Sequence, residues 1–113
     1  MLFSFIAAAF FSLASANAKD ITLERIERTN NFVVGFRSDK HPFSAVTPSG
    51  EVDGYSIDLC KGIYESLKKN LNKPDLKLKM IEVTADNRFD YINAGTVDNI
   101  CSASSWTLER QKK

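Results

Sequence analysis

Residues 55–83 read YSIDLCKGIYESLKKNLNKPDLKLKMIEV, a helix pattern followed at once by a strand pattern. Ile57, Cys60, Ile63 with Tyr64, Leu67 and Leu71 recur at three- and four-residue steps, which draws one apolar stripe along a helix. Ser56 stands where an N-cap belongs, Asp58 lies near the positive helix start, and Lys68, Lys69 and Lys73 lie near the negative end. Pro74 stops the helix, because proline has no amide hydrogen to donate. Leu76 to Val83 then alternates apolar and polar residues before turning continuous, as a strand entering a sheet does.

The flanks repeat the theme. Upstream, Thr22 is a candidate cap for a short helix, Leu23 to Arg28. Phe32-Val33-Val34-Gly35-Phe36 has the composition of a strand buried on both faces. Between that strand and the long helix, Pro48-Ser49-Gly50 and Asp53-Gly54 are turn signals, so residues 42–54 form a loop or a short hairpin. Downstream, a second helix is expected from about Asn87 to Asn93, ending at Gly95, then a strand from Val97 to Ala103. Thr107 starts a further helix pattern. Strand, helix, strand, helix, strand implies parallel pairing with right-handed crossovers, hence a three-layer α/β unit.

In such sheets ligands bind beyond the carboxyl ends of the strands. Here those positions are residues 37–42, 84–88 and 102–110, and each group contains one arginine: Arg37, Arg88 and Arg110. The planar guanidinium fork matches a carboxylate bidentately. Thr84, Ser102, Ser104 and Ser105 add small hydroxyl groups, and helix starts near Asn87 and Thr107 add amide hydrogens. Any one arginine could be a solvated surface charge, but three after successive strands at one edge favour an anion site.

Composition narrows the rest. The chain has 113 residues, with 15 Lys+Arg against 14 Asp+Glu, 43% hydrophobic and 26% charged residues. That balance argues against disorder, and a net charge of +1 without a basic block argues against nucleic acid as the main partner. Two cysteines and one histidine cannot build a Cys/His zinc cage, and no phosphate-binding glycine pattern implies a cofactor. Catalytic groupings are weak. His41 sits before Pro42 in a loop, Asp86 and Asp90 fit capping and ion-pair roles beside Arg88, and the serines lack a nucleophile-elbow context.

Residues 1–18, MLFSFIAAAFFSLASANA, carry no charge. An apolar run from Leu2 to Ala14 followed by Ala16-Asn17-Ala18 has the form of an export signal cleaved after Ala18, although no Lys or Arg precedes the run. The alternative, a membrane helix, would need about twenty apolar residues. Export would place residues 19–113 in an oxidising compartment, where Cys60 and Cys101 read as one disulfide; two buried thiols remain the alternative.

Several strings together carry a family likeness: Val34-Gly35-Phe36-Arg37, Pro42-Phe43-Ser44, Gly54-Tyr55-Ser56-Ile57-Asp58-Leu59-Cys60, Lys73-Pro74-Asp75-Leu76, Thr84-x-x-Asn87-Arg88, Asn93-x-Gly95-Thr96-Val97-Asp98 and Leu108-Glu109-Arg110-Gln111-Lys112. Across residues 20–113 the chain resembles the first lobe of the periplasmic amino-acid-binding proteins of ABC importers, glutamate/aspartate type. The resemblance implies a two-lobed clamp in the periplasm that is not an enzyme, acts as a monomer, and hands a free glutamate or aspartate to a membrane permease. Residues 19–113 would be the N-terminal portion of lobe 1, with an incomplete, mostly parallel sheet. By position, Arg110 resembles the arginine that holds the ligand α-carboxylate, with Ser104 and Ser105 in the neighbouring hydroxyl run. Arg37 and Arg88 resemble those meeting an acidic side chain. Departures are Ala85 and Ala103, where the family carries hydroxyl residues, and Ile100, where an acid is common. Each lost donor would weaken binding by about 1–3 kcal/mol where its partner stays buried. The other readings are a non-binding remnant, or a regulatory or dehydratase-like lobe on the same fold.

Overall fold

Asn31–Phe36 forms the central strand β1, and its alternate residues Phe32, Val34 and Phe36 are all buried. The computed structural model describes residues 20–105, 107–109 and 111. The expected export signal, residues 1–18, lies outside the described residues, as do Trp106, Arg110 and Lys112. Before β1 comes helix α1, Ile21–Thr29. After it come β2 (Asp39–Lys40), β3 (Ser44–Val46) and β4 (Val52–Asp53), then α2 (Tyr55–Asn70), β5 (Lys77–Glu82), α3 (Arg88–Asn93) and β6 (Asn99–Cys101).

The principal sheet has the order β5-β1-β6, all parallel, with Phe36 opposite both Glu82 and Cys101. The expected parallel α/β unit is present. Its first crossover runs from β1 outward to β5, and its second returns past β1 to β6. Right-handed crossovers of opposite sense put α2 and α3 on opposite faces and leave a topological switch point between β1 and β6. The turn-rich segment contains the short hairpin, β3–β4, which β2 extends into a small antiparallel sheet.

One face is well covered. Phe32, Val34, Phe36, Leu78, Met80 and Cys101 pack with Ile57, Cys60, Tyr64, Leu67 and Leu71 of the α2 segment and with Ile26 of α1. The stripe read from sequence is therefore the buried one, except that Ile63 is 43% exposed. A disulfide joins Cys60 of α2 to Cys101 of β6. The other face is thinner than a three-layer unit implies. Gly35, Val83 and Ile100 meet there, but Lys77 and Lys79 of β5 face solvent.

Two caps differ from the sequence reading. Asp20, not Thr22, caps α1, its carboxylate accepting from the amides of Thr22 and Leu23. Helix α2 starts from Gly54 at φ +140°, where an added Cβ would lie 2.3 Å from the Phe43 carbonyl oxygen. The amides of Tyr55 and Ser56 donate to the carbonyls of Pro42 and Phe43. Ser56 does not cap; its hydroxyl donates to the Ser102 carbonyl at 3.0 Å, tying α2 to the segment after β6.

A third tie lies at the opposite end of the sheet. Arg25 of α1 donates through Nε and Nη2 to one Asp98 oxygen, at 2.9 and 2.8 Å, and the other oxygen accepts from the Val33 amide. The Asp98 side chain is 3% exposed.

Candidate functional site

Because Phe36, Glu82 and Cys101 share one rung, the chain leaves the sheet at Arg37, Val83 and Ser102 side by side. This is the carboxyl edge, where open α/β sheets bind ligands. Arg37 follows β1 directly and is 5% exposed; Arg88 opens α3, five residues beyond Val83, and is 7% exposed. Ser104 and Ser105 follow β6 and are exposed. The topology thus brings four of the five expected site residues to one rim. The fifth, Arg110, lies outside the described residues.

Arg37 is held twice. Its amide donates to the Ser44 hydroxyl at 2.9 Å, and that hydroxyl donates to the Arg37 carbonyl at 2.6 Å. Ser44 is fully buried, so β3 locks the backbone at the rim. The guanidinium donates from Nε and Nη2 to the two carboxylate oxygens of Asp39, each at 2.8 Å. The hydrogen bonds and charge of Arg37 hold the Asp39 carboxyl below the usual carboxylate range. Arg88 lies 4.7 Å over the Phe89 ring.

The hydroxyl groups divide. Thr84 is occupied by its own turn: its hydroxyl accepts from the Asn87 amide while its amide donates to the Asn87 side chain. Ser38 donates to Glu82 at 2.5 Å. Ser102 Oγ is buried and has no hydrogen-bond partner among the described residues. Of the two expected helix starts, the one near Asn87 is present as α3. Helix α3 has six residues and its Arg88 amide already donates to Thr84, while the described part of the Thr107 segment is a turn closed by the Gln111 amide on the Thr107 carbonyl.

Sequence reasoning missed Asp39 and Ser44. Asp39 carried a signal, since residues two apart on extended chain point the same way; Ser44 carried none, because its role is tertiary. Among the described residues no cluster of His, Cys, Asp and Glu could hold a metal, and no helix is long and apolar enough to cross a membrane. His41 is exposed.

Comparison with known proteins extends the picture. The profile of the bacterial extracellular solute-binding proteins, family 3, matches residues 32–113. Over 98 residues the chain is 42% identical to a glutamate/aspartate import solute-binding protein of Salmonella typhimurium, covering 87% of this chain and 32% of that one. Over 93 residues it is 34% identical to a glutamine-binding protein of Geobacillus stearothermophilus, covering 81% and 34%. Among solved structures it resembles an ancestral amino acid-binding protein described as a precursor of cyclohexadienyl dehydratase, with a TM-score of 0.68, 29% identity, and 81% and 37% coverage. It also resembles the arginine-bound form of domain 1 of ArgBP from T. maritima, with a TM-score of 0.65, 28% identity, and 78% and 64% coverage. The chain spans about a third of the length of the curated relatives it matches.

Proposed function

This chain belongs to the bacterial extracellular solute-binding proteins, family 3, and from that premise we propose that it supplies the first part of a lobe that captures glutamate or aspartate in the periplasm for an ABC-transporter membrane permease. Residues 1–18 act as the export signal, and residues 19–113 form the N-terminal portion of lobe 1 of a monomer. Arg110 takes the ligand α-carboxylate with Ser104 and Ser105 beside it, and Arg37 and Arg88 serve the side-chain carboxylate.

One observation carries this reading: two arginines, 5% and 7% exposed, stand beyond the ends of parallel strands at the same rim. A planar guanidinium fork matches a carboxylate, and Arg37 carries N–H groups beyond the pair it makes with Asp39. The arginine-bound domain 1 of ArgBP supports assigning ligand contacts to a first lobe, since that neighbour holds its amino acid on one domain.

Calorimetry on the whole protein that carries these residues tests it, with glutamate, aspartate, glutamine and lysine as ligands. Arg110→Ala should abolish binding of all of them, whereas Arg37→Ala should cost the acidic ligands more than glutamine. Equal losses for glutamate and glutamine in Arg37→Ala would remove the assignment of Arg37. The 113 residues alone should bind no tighter than roughly millimolar, because single-lobe contacts must offset the whole entropy of association.

A dehydratase is the second reading, favoured by the likeness to a precursor of cyclohexadienyl dehydratase. It requires an acid or base beside the arginines. Asp39, the carboxylate paired with Arg37, is held ionised there, which makes it a poor proton donor at neutral pH and also weakens it as a base. Turnover of a cyclohexadienyl acid by the whole protein would favour this reading over solute capture.

A further inference from the structure

Arg37 reaches the rim with half of its fork already used. A guanidinium carries five N–H groups, and Asp39 accepts from Nε and from Nη2 in a side-on bidentate pair. The burial is lopsided: the Arg37 side chain is 6% exposed and that of Asp39 60%. The carboxylate therefore sits on the solvent side of a cation whose backbone Ser44 has fixed. Nη1 makes no hydrogen bond to a described residue, so the Nη1/Nη2 edge keeps donors that Asp39 does not use. Glu82, the carboxylate on the last rung of the parallel sheet, is engaged by Ser38 instead.

We propose that Asp39 is a built-in competitor for Arg37 that sets how strongly the site prefers an acidic side chain over an amide one. This rests on the reading that Arg37 meets the ligand side chain. A ligand carboxylate arriving at the Nη1/Nη2 edge is attracted by the guanidinium and repelled by Asp39 across it. A ligand amide carries no net charge and responds to neither as strongly. Asp39 thus fixes the direction of the fork while cancelling much of its charge, which narrows the gap between glutamate and glutamine. The contacts with Arg37 that lower the Asp39 carboxyl accord with this, since they favour its ionised form.

The test is calorimetry on the whole protein, comparing wild type, Asp39→Asn and Asp39→Ser with glutamate and glutamine as probes. Both variants remove the charge at an exposed position, and a thermal melt of each confirms folding before titration. The ratio Kd(glutamine)/Kd(glutamate) should rise about three- to eightfold, as expected for unit charges roughly 7 Å apart at an effective dielectric of roughly 40–80. Glutamine affinity should move less than about twofold, and the rise should shrink with added salt. A loss of general stability would weaken both ligands together and leave the ratio alone.

Arg37→Gln separates the two levels of argument. If it leaves the wild-type ratio unchanged, Arg37 does not meet the ligand side chain, and both the site assignment and this inference fail. If it collapses the ratio while Asp39→Asn and Asp39→Ser leave the ratio unchanged or lower it, the assignment stands and the competitor role of Asp39 is overturned.

Discussion

Replacing Cys60 and Cys101 together by alanine removes the covalent tie between α2 and β6. The bridge spans a sequence separation of 41 residues. The loop-closure expression assigns such a loop about 4 kcal/mol at 25 °C, through the freedom regained by the unfolded chain. The local geometry gives that loss a direction. Strand β6 pairs with β1 over only three residues, Asn99 to Cys101, and the Ser56–Ser102 hydrogen bond is the next tie beyond it. Without the bridge β6 should open first, carrying Ser102 to Ser105 away from Arg37. Urea unfolding of oxidised wild type and the double-alanine variant reads the global term as a lower midpoint at similar slope. Amide exchange reads the local one, with protection lost first at Ile100 and later along β1. A midpoint shift worth less than about 1 kcal/mol, or uniform loss of protection across all three strands, would refute the claim that the bridge is the main clamp on β6.

Three further outcomes follow from particular contacts. Asp98→Ala deletes a 3%-exposed carboxylate that serves both Arg25 and the Val33 amide, and should cost about 2–4 kcal/mol in urea unfolding, because the half-buried Val33 amide loses its acceptor as well. A cost near zero would mean that water replaces the carboxylate at Val33. Ile57 is fully buried at the start of the α2 stripe, so Ile57→Val should cost about 0.5–1.5 kcal/mol and Ile57→Ala about 2–5 kcal/mol; equal costs would show that the site collapses around the smaller residue. Asp39 has a folded pKa below its unfolded value, so its contribution to stability is intact at neutral pH and fades as pH falls through the lower folded value. Carboxyl-carbon NMR should place its midpoint under the ordinary value of about 3.9, rising toward that value in Arg37→Gln; a native midpoint at or above it contradicts the pairing with Arg37.

Much of the sheet could be read directly. The α2 stripe and the composition of β1 follow from burial, and burial leaves a periodic trace in sequence. The boundaries did not follow, each for a local reason. Thr22 and Ser56 have good capping chemistry, but caps depend on where the chain enters the helix. Asp20 stands two residues earlier in α1, and Gly54 is the residue whose backbone can pass the Phe43 carbonyl. Strand β6 is shorter than its apolar pattern, Val97 to Ala103, because Asp98 replaces strand pairing at one end. Its amide donates to the Val33 carbonyl while its carboxylate accepts from the Val33 amide. The open face beside Lys77 and Lys79 was also written in the alternation of LKLK, which describes a strand with solvent on one side.

The rim divides along a different line. That Arg37 and Arg88 stand at one edge follows from strand order alone, since parallel strands deliver all their carboxyl ends to the same side. How much charge the rim offers does not follow from strand order, because an arginine's field depends on which carboxylate reaches it first. Arg37-Ser38-Asp39 is short enough for extended geometry to put Arg37 and Asp39 on the same side, and the structure shows the pair closed. Counting arginines therefore overstates the positive charge a ligand meets. Under the proposed function, the preference for a dicarboxylate over its amide depends on the net charge the rim presents, and at Arg37 that charge is offset by Asp39, two residues downstream.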